Sequence, residues 1–111
     1  MLADAAGWYW GLPAAVPDFG PLNEHFVRDI GAAFVMMGAG LAWAAFSAGM
    51  RVPVVALVTL FYLLHALGHI YDTTQGLVGS NHWMIDFPGV YLPTILLVIM
   101  FAVLVCRRQQ E

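Results

Sequence analysis

Four histidines and six carboxylates gathered toward one end of the apolar stretches are the residues here that could do chemistry. Tyr62, His65, His69 and Asp72 recur at i, i+3, i+7 and i+10, which puts them on one face of an α-helix. His25, Arg28, Asp29 and Ala32, at i, i+3, i+4 and i+7, likewise share one helical face at the start of an earlier apolar run. A His-x-x-x-His spacing sets two imidazoles side by side, as in many helical metal sites. Asp72, His25 and His82 could complete the shell, and three or four nitrogen and oxygen ligands suit Zn²⁺ or Cu²⁺. Haem fits less well, because ligands at i and i+4 on one helix cannot bind opposite faces of one iron; His25 would have to be the second axial ligand. The same residues could instead relay protons or line a small-ligand pocket. A purely structural reading is also open. Arg28, Asp29 and Asp72 would then form an ion-pair cluster pinning two helices, with His65 and His69 hydrogen-bonded to a neighbouring carbonyl or to Tyr62.

The elements that must position these residues follow from composition. Of 111 residues, 61% are hydrophobic and 10% charged, with a mean hydropathy of +0.78. A soluble domain would carry roughly 25% charge. The apolar residues fall in three runs, Ile30 to Met50, Val52 to Tyr71 and Phe87 to Cys106, each near the ~20 residues that cross hydrocarbon. The expected fold is all-α, a single integral membrane domain over 1–111 with three transmembrane helices. They cover about residues 26–50, 52–72 and 86–107, with the first turn at Arg51. The stretch up to about residue 24 holds Trp8, Tyr9 and Trp10 and then Pro13, Pro17 and Pro21. It is too broken to span and reads as an interfacial segment, with no basic n-region or clean cleavage site of a signal peptide.

Depth follows from counting outward from Arg51. Asp29 comes level with Thr73 and Ala33 with His69, so both intramembrane histidines would face alanines, and Arg28 and Asp29 would reach Asp72. His65 lies about seven residues below Asp72, roughly 10 Å inside the boundary. A full charge there would cost ~2.5–3.5 kcal/mol, whereas a neutral histidine costs much less. The first helix carries small residues at helical spacing, Ala33, Gly40, Ala44 and Gly49 among them, which suit close packing on the second helix or on another copy. The third helix, with no polar residue beyond Thr94, reads as a lipid-facing wall.

Charge sets the expected orientation. Arg51, Arg107 and Arg108, with Glu111, share one side; Asp4, Asp18, Glu24, Asp29, Asp72 and Asp86 share the other with only Arg28. The positive-inside rule then puts the C-terminus in the cytoplasm and the N-terminus outside. A net charge of −3 and the absence of lysine argue against nucleic-acid binding. The single cysteine, Cys106, excludes an intramolecular disulfide. No Ser, Cys or Thr nucleophile stands beside a base and there is no phosphate-cradling glycine loop, which argues against an enzyme acting alone.

The run Asn23-Glu24-His25-Phe26-Val27-Arg28-Asp29-Ile30-Gly31 resembles a motif of a family of small bacterial multi-span membrane proteins, DoxX-like in appearance and without an assigned activity. In that family the motif follows a Gly/Pro loop and enters a transmembrane helix. A histidine-bearing helix similar to His65-Ala66-Leu67-Gly68-His69 comes next, then a final apolar helix. The resemblance, over about Trp8 to Cys106, implies a multi-pass protein of the bacterial cytoplasmic membrane. Such relatives often carry a further helix before the loop, whose place here a partner could fill. Together these features lead us to expect an accessory or structural subunit, contacting the lipid bilayer and either other membrane subunits or its own copies. The alternatives are a metal-binding protein using His65, His69, Asp72, His25 and His82, and a proton-handling subunit of a membrane enzyme or transporter. Each of these readings expects Arg28→Ala to be more damaging than Arg51→Ala, because removing one member of a buried pair leaves the others uncompensated.

Overall fold

The computed structural model describes residues 1–110 and is all-helical, with three helices long and apolar enough to cross a membrane. A short helix α1 (Ala5–Gly11) and a 3₁₀ turn (Val16–Phe19) precede the spans α2 (Glu24–Phe46) and α3 (Ala48–Thr74). A second short helix, α4 (His82–Ile85), leads through a π turn (Phe87–Tyr91) into α5 (Leu92–Arg108). The third span, π turn included, runs Phe87–Arg108. Glu111, grouped above with the inner arginines, lies outside the described residues.

The spans stand in one row. α3 packs against both α2 and α5, while those two scarcely meet, and the molecule measures 49 × 32 × 17 Å. No more than 22% of the residues in any span's most apolar window are buried. Side chains such as Phe46, Leu57, Leu64 and Ile99 are therefore left for lipid to cover. The expected lipid-facing wall is only partly right, because one side of α5 is clamped to α3. Thr94 Oγ1 lies 2.6 Å from the Val90 carbonyl and 3.2 Å from that of Tyr62 on α3. Thr59 of α3 answers at 2.7 Å from the Val55 carbonyl and 3.4 Å from that of Leu97 on α5. Without water, hydroxyls that share a proton with a neighbouring helix are among the few attractive forces beyond packing.

The turn between the first two spans falls at Ser47, four residues before Arg51. Ser47 adopts an extended backbone and serves both helices as a cap. Arg51 lies a turn inside α3, where its guanidinium donates to the carbonyls of Ala44 (3.3 Å) and Ala45 (3.4 Å) at the end of α2. A helix C-terminus presents unpaired carbonyls and partial negative charge, so a cation is favoured there. The charge expected to mark the turn instead caps the helix before it.

Moving the turn changes the register of the whole antiparallel pair by eight residues, roughly 12 Å. The new register is visible in contacts. A Cβ on Gly40 would stand 3.4 Å from Val54, and Phe34 meets Phe61 with ring centroids 6.0 Å apart. Among the expected packing residues, Ala44 is buried and Gly40 is against α3, whereas Gly49 belongs to the first turn of α3 and faces open space. Ala33 is only half-buried.

Candidate functional site

The first 20 residues fold into a cap over the acidic end of the row. Asp4 caps α1, accepting from the Gly7 amide at 2.7 Å. The Tyr9 hydroxyl donates to the Gly20 carbonyl, closing the segment on itself. Gly20 has φ +129°, a conformation that side-chain-bearing residues avoid. The cap also rests on α2, where Met1 and Leu2 lie so near Gly31 that a Cβ there would sit 3.0 Å from Met1 Cβ. The next helix starts cleanly, with Asn23 Oδ1 accepting from the Phe26 amide at 3.1 Å.

What holds the cap to the opposite end of the chain is a pair of carboxylates around one histidine. His82 is fully buried; its Nε2 lies 3.1 Å from Asp18 Oδ2 in the cap and its Nδ1 lies 3.3 Å from Asp86 Oδ1. The other oxygen of Asp86 takes His69 Nδ1 of α3 at 2.8 Å. Phe19 packs on both rings, 4.8 Å from His69 and 4.9 Å from His82. A carboxylate oxygen only accepts, so with both carboxylates ionised His82 must carry a proton on each nitrogen. Burial alone would lower its pKa, but the hydrogen bonds and charges of Asp18 and Asp86 outweigh burial and raise it above the ordinary 6.5. Asp86 reaches both histidines from the mouth of the π turn, where its carbonyl accepts from the amides of Val90 (2.8 Å) and Tyr91 (3.4 Å). Pro88, inside this widened turn, and Pro93, just after it, offer no N–H to a regular ladder.

Between cap, α2, α3 and the π turn lies a cavity of about 790 Å³. Trp8, Tyr9 and Phe19 form its roof, Phe26, Ile30 and Phe34 one wall, Pro88 to Val90 another, and Phe61, His65 and His69 the back. No lysine or arginine lines it. His65 stacks on Phe61 (5.9 Å, 17°) and meets the His69 ring edge-on at 4.6 Å. Among the described residues, neither nitrogen of His65 nor Nε2 of His69 has a hydrogen-bond partner in the protein.

The expected site residues are thus divided. His65, His69 and His82 come together; His25 and Asp72 do not join them. His25 sits on the outside of α2 with Asp29, 3.4 Å apart and 87% and 62% exposed. Arg28 pairs with Glu24, also on the surface. Asp72 forms no ion pair among the described residues, so the cluster of Arg28, Asp29 and Asp72 does not exist. The register explains this: by counting from Ser47, His65 rather than Thr73 is level with Asp29. Nor does any group of three His, Cys, Asp or Glu among the described residues approach closely enough to hold a metal ion. The carboxylates near the imidazoles are turned onto ring nitrogens and leave no open shell. Asp86, Asp18 and Phe19 were absent from the sequence-based candidates. Asp86 did leave a signal, standing four residues after His82 and two before Pro88 at the start of a span.

These features define a three-span membrane protein with a roofed, mostly apolar pocket and a histidine–carboxylate network at its polar end. Comparison with protein-family models, with curated proteins and with solved structures finds no match to this chain. The likeness of Asn23 to Gly31 to a family motif therefore stands on that run alone.

Proposed function

We propose that this chain is a membrane protein that binds an amphipathic small molecule beneath its N-terminal cap, with His69, oriented by Asp86, meeting the ligand's polar end. The observation that carries the reading is the pocket itself. Its volume lies in the range of ligand sites, roughly 300–1,000 Å³, and a few convergent polar groups sit in aromatic walls. Bilayer lipid accounts for the apolar outer faces of α2 and α5, and so would the partner subunits or second copy of an accessory protein. Neither accounts for imidazole nitrogens that face the cavity without a partner in the protein. The Asp86–His69 pair is also the arrangement that holds an imidazole in one tautomer with Nε2 as a base. Proton exchange with a bound ligand is thereby within the site's chemistry. On the positive-inside argument the pocket opens at the outer side of a bacterial cytoplasmic membrane.

The test is a photolabelling map. The protein is placed in nanodiscs of zwitterionic lipid with a twelve-carbon alcohol bearing an alkyl diazirine, irradiated and digested. Adducts concentrated between Phe26 and Phe34 and between Phe61 and His69 are the expected result. An even spread over Leu57, Leu64, Ile95 and Ile99 would show that the probe samples only bulk lipid and would remove the reading.

A further inference from the structure

We infer that the pocket selects amphiphiles whose polar end donates a hydrogen bond and bears no negative charge: a hydroxyl or a protonated amine on an apolar body. This rests on the pocket reading above and narrows it to a ligand class. Both oxygens of Asp86 are engaged, one by His82 and one by His69. Because a carboxylate oxygen can only accept, the proton of a neutral His69 must reside on Nδ1. Its Nε2 is then a lone pair with no partner in the protein, in a ring that lines the cavity. A lone pair calls for a donor. Ethers, esters and ketones bring only acceptors, which could meet the N–H of a neutral His65 but would leave the cavity-facing nitrogen of His69 unpaired.

Charge excludes the remaining common heads. Carboxylate, sulfonate and phosphate are anchored in proteins by Arg and Lys forks or by rows of backbone amides. Here no lysine or arginine lines the cavity, and Asp86 already places a carboxylate at its polar end. The one arginine on this side, Arg28, is exposed and paired with Glu24. Asp18 and Asp86 share the single positive charge of His82, so an anion would meet net negative charge at the polar end, whereas an ammonium would be attracted to it and to the faces of Trp8 and Phe19.

Competition against the photolabel decides the matter. Dodecanol, dodecylamine, dodecyl methyl ether and dodecanesulfonate share one chain and differ only at the head, and they are compared at equal mole fraction in the bilayer. The alcohol and the amine should displace the label from the pocket peptides, with the ether and the sulfonate each needing about tenfold more, the worth of one hydrogen bond. His69→Phe keeps an aromatic ring and removes the acceptor; it should leave pocket labelling in place and bring alcohol and ether to parity. Should His69→Phe fail to fold, the wild-type series decides alone. Equal competition by ether and alcohol, or strongest competition by the sulfonate, would overturn the ligand class while leaving the pocket standing. Absence of pocket labelling in the wild type would instead remove the pocket reading itself.

Discussion

The chain contains the same pair twice. His25 and Asp29 stand four residues apart with 3.4 Å between them, and His82 and Asp86 stand four residues apart with 3.3 Å between them. The first pair is 87% and 62% exposed, at the start of α2, and touches no other element of the network. The second is 0% and 2% exposed and joins three segments distant in sequence: the cap through Asp18, α3 through His69 and the entry to the third span. Residue type and spacing are identical, so the difference is context. In water an imidazole and a carboxylate gain little from each other. Out of water each must find partners, and the partners it finds fix the path of the chain.

That contrast predicts a ranking of effects. The largest belongs to Asp86→Ala, which leaves His82 buried with one partner and His69 without an orienting group. Loss of a buried ionic partner is strongly destabilising, here about 3 kcal/mol or more in denaturant unfolding of the detergent-solubilised protein. A cost no greater than that of an exposed substitution would mean that Asp86 joins nothing.

Next comes pH. The folded state raises the His82 pKa above 6.5 and so binds that proton more tightly than the unfolded chain does. Its stabilisation is complete below pH 6.5 and fades as pH rises through the raised value. Unfolding followed from pH 6 to 9 should show this loss, and His82→Gln should flatten it. A wild-type profile that rises over the same range would have the wrong sign for a protonated His82.

Smaller effects separate the arginines, and they reverse the order expected from the sequence. Arg51→Ala removes the donor to the last carbonyls of α2 and should cost about 1 kcal/mol. Arg28→Ala removes a half-exposed pair worth about 0.3–0.5 kcal/mol. Unfolding midpoints of the two variants compare them directly. A larger loss for Arg28→Ala would restore the ion-pair cluster that the register rules out.

The number of spans was legible because each is a long apolar run whose signal sits in consecutive residues. The shared face of His65 and His69 was legible too, since helical periodicity alone sets it. The turn was misplaced because Arg51 looks like a boundary charge, while Ser47, small and uncharged, carries no mark in hydropathy. That error of four residues sent His69 toward alanines instead of toward Phe19 and Asp86. Asp18 and His82 are 64 residues apart, and no local pattern announces such a contact. The π turn re-aims Asp86 by widening one turn of backbone, a change the prolines permit without specifying.

The buried pair fastens the cap over the pocket and the exposed pair does not. Amide hydrogen exchange over residues 5–20 tests this most directly, with His82→Ala and Asp29→Ala measured beside the wild type at pH 6. Exchange in the cap should rise sharply in His82→Ala, while Asp29→Ala stays superimposable on the wild type. A cap equally protected in all three would contradict the account, because the cap would then be held by apolar contacts alone.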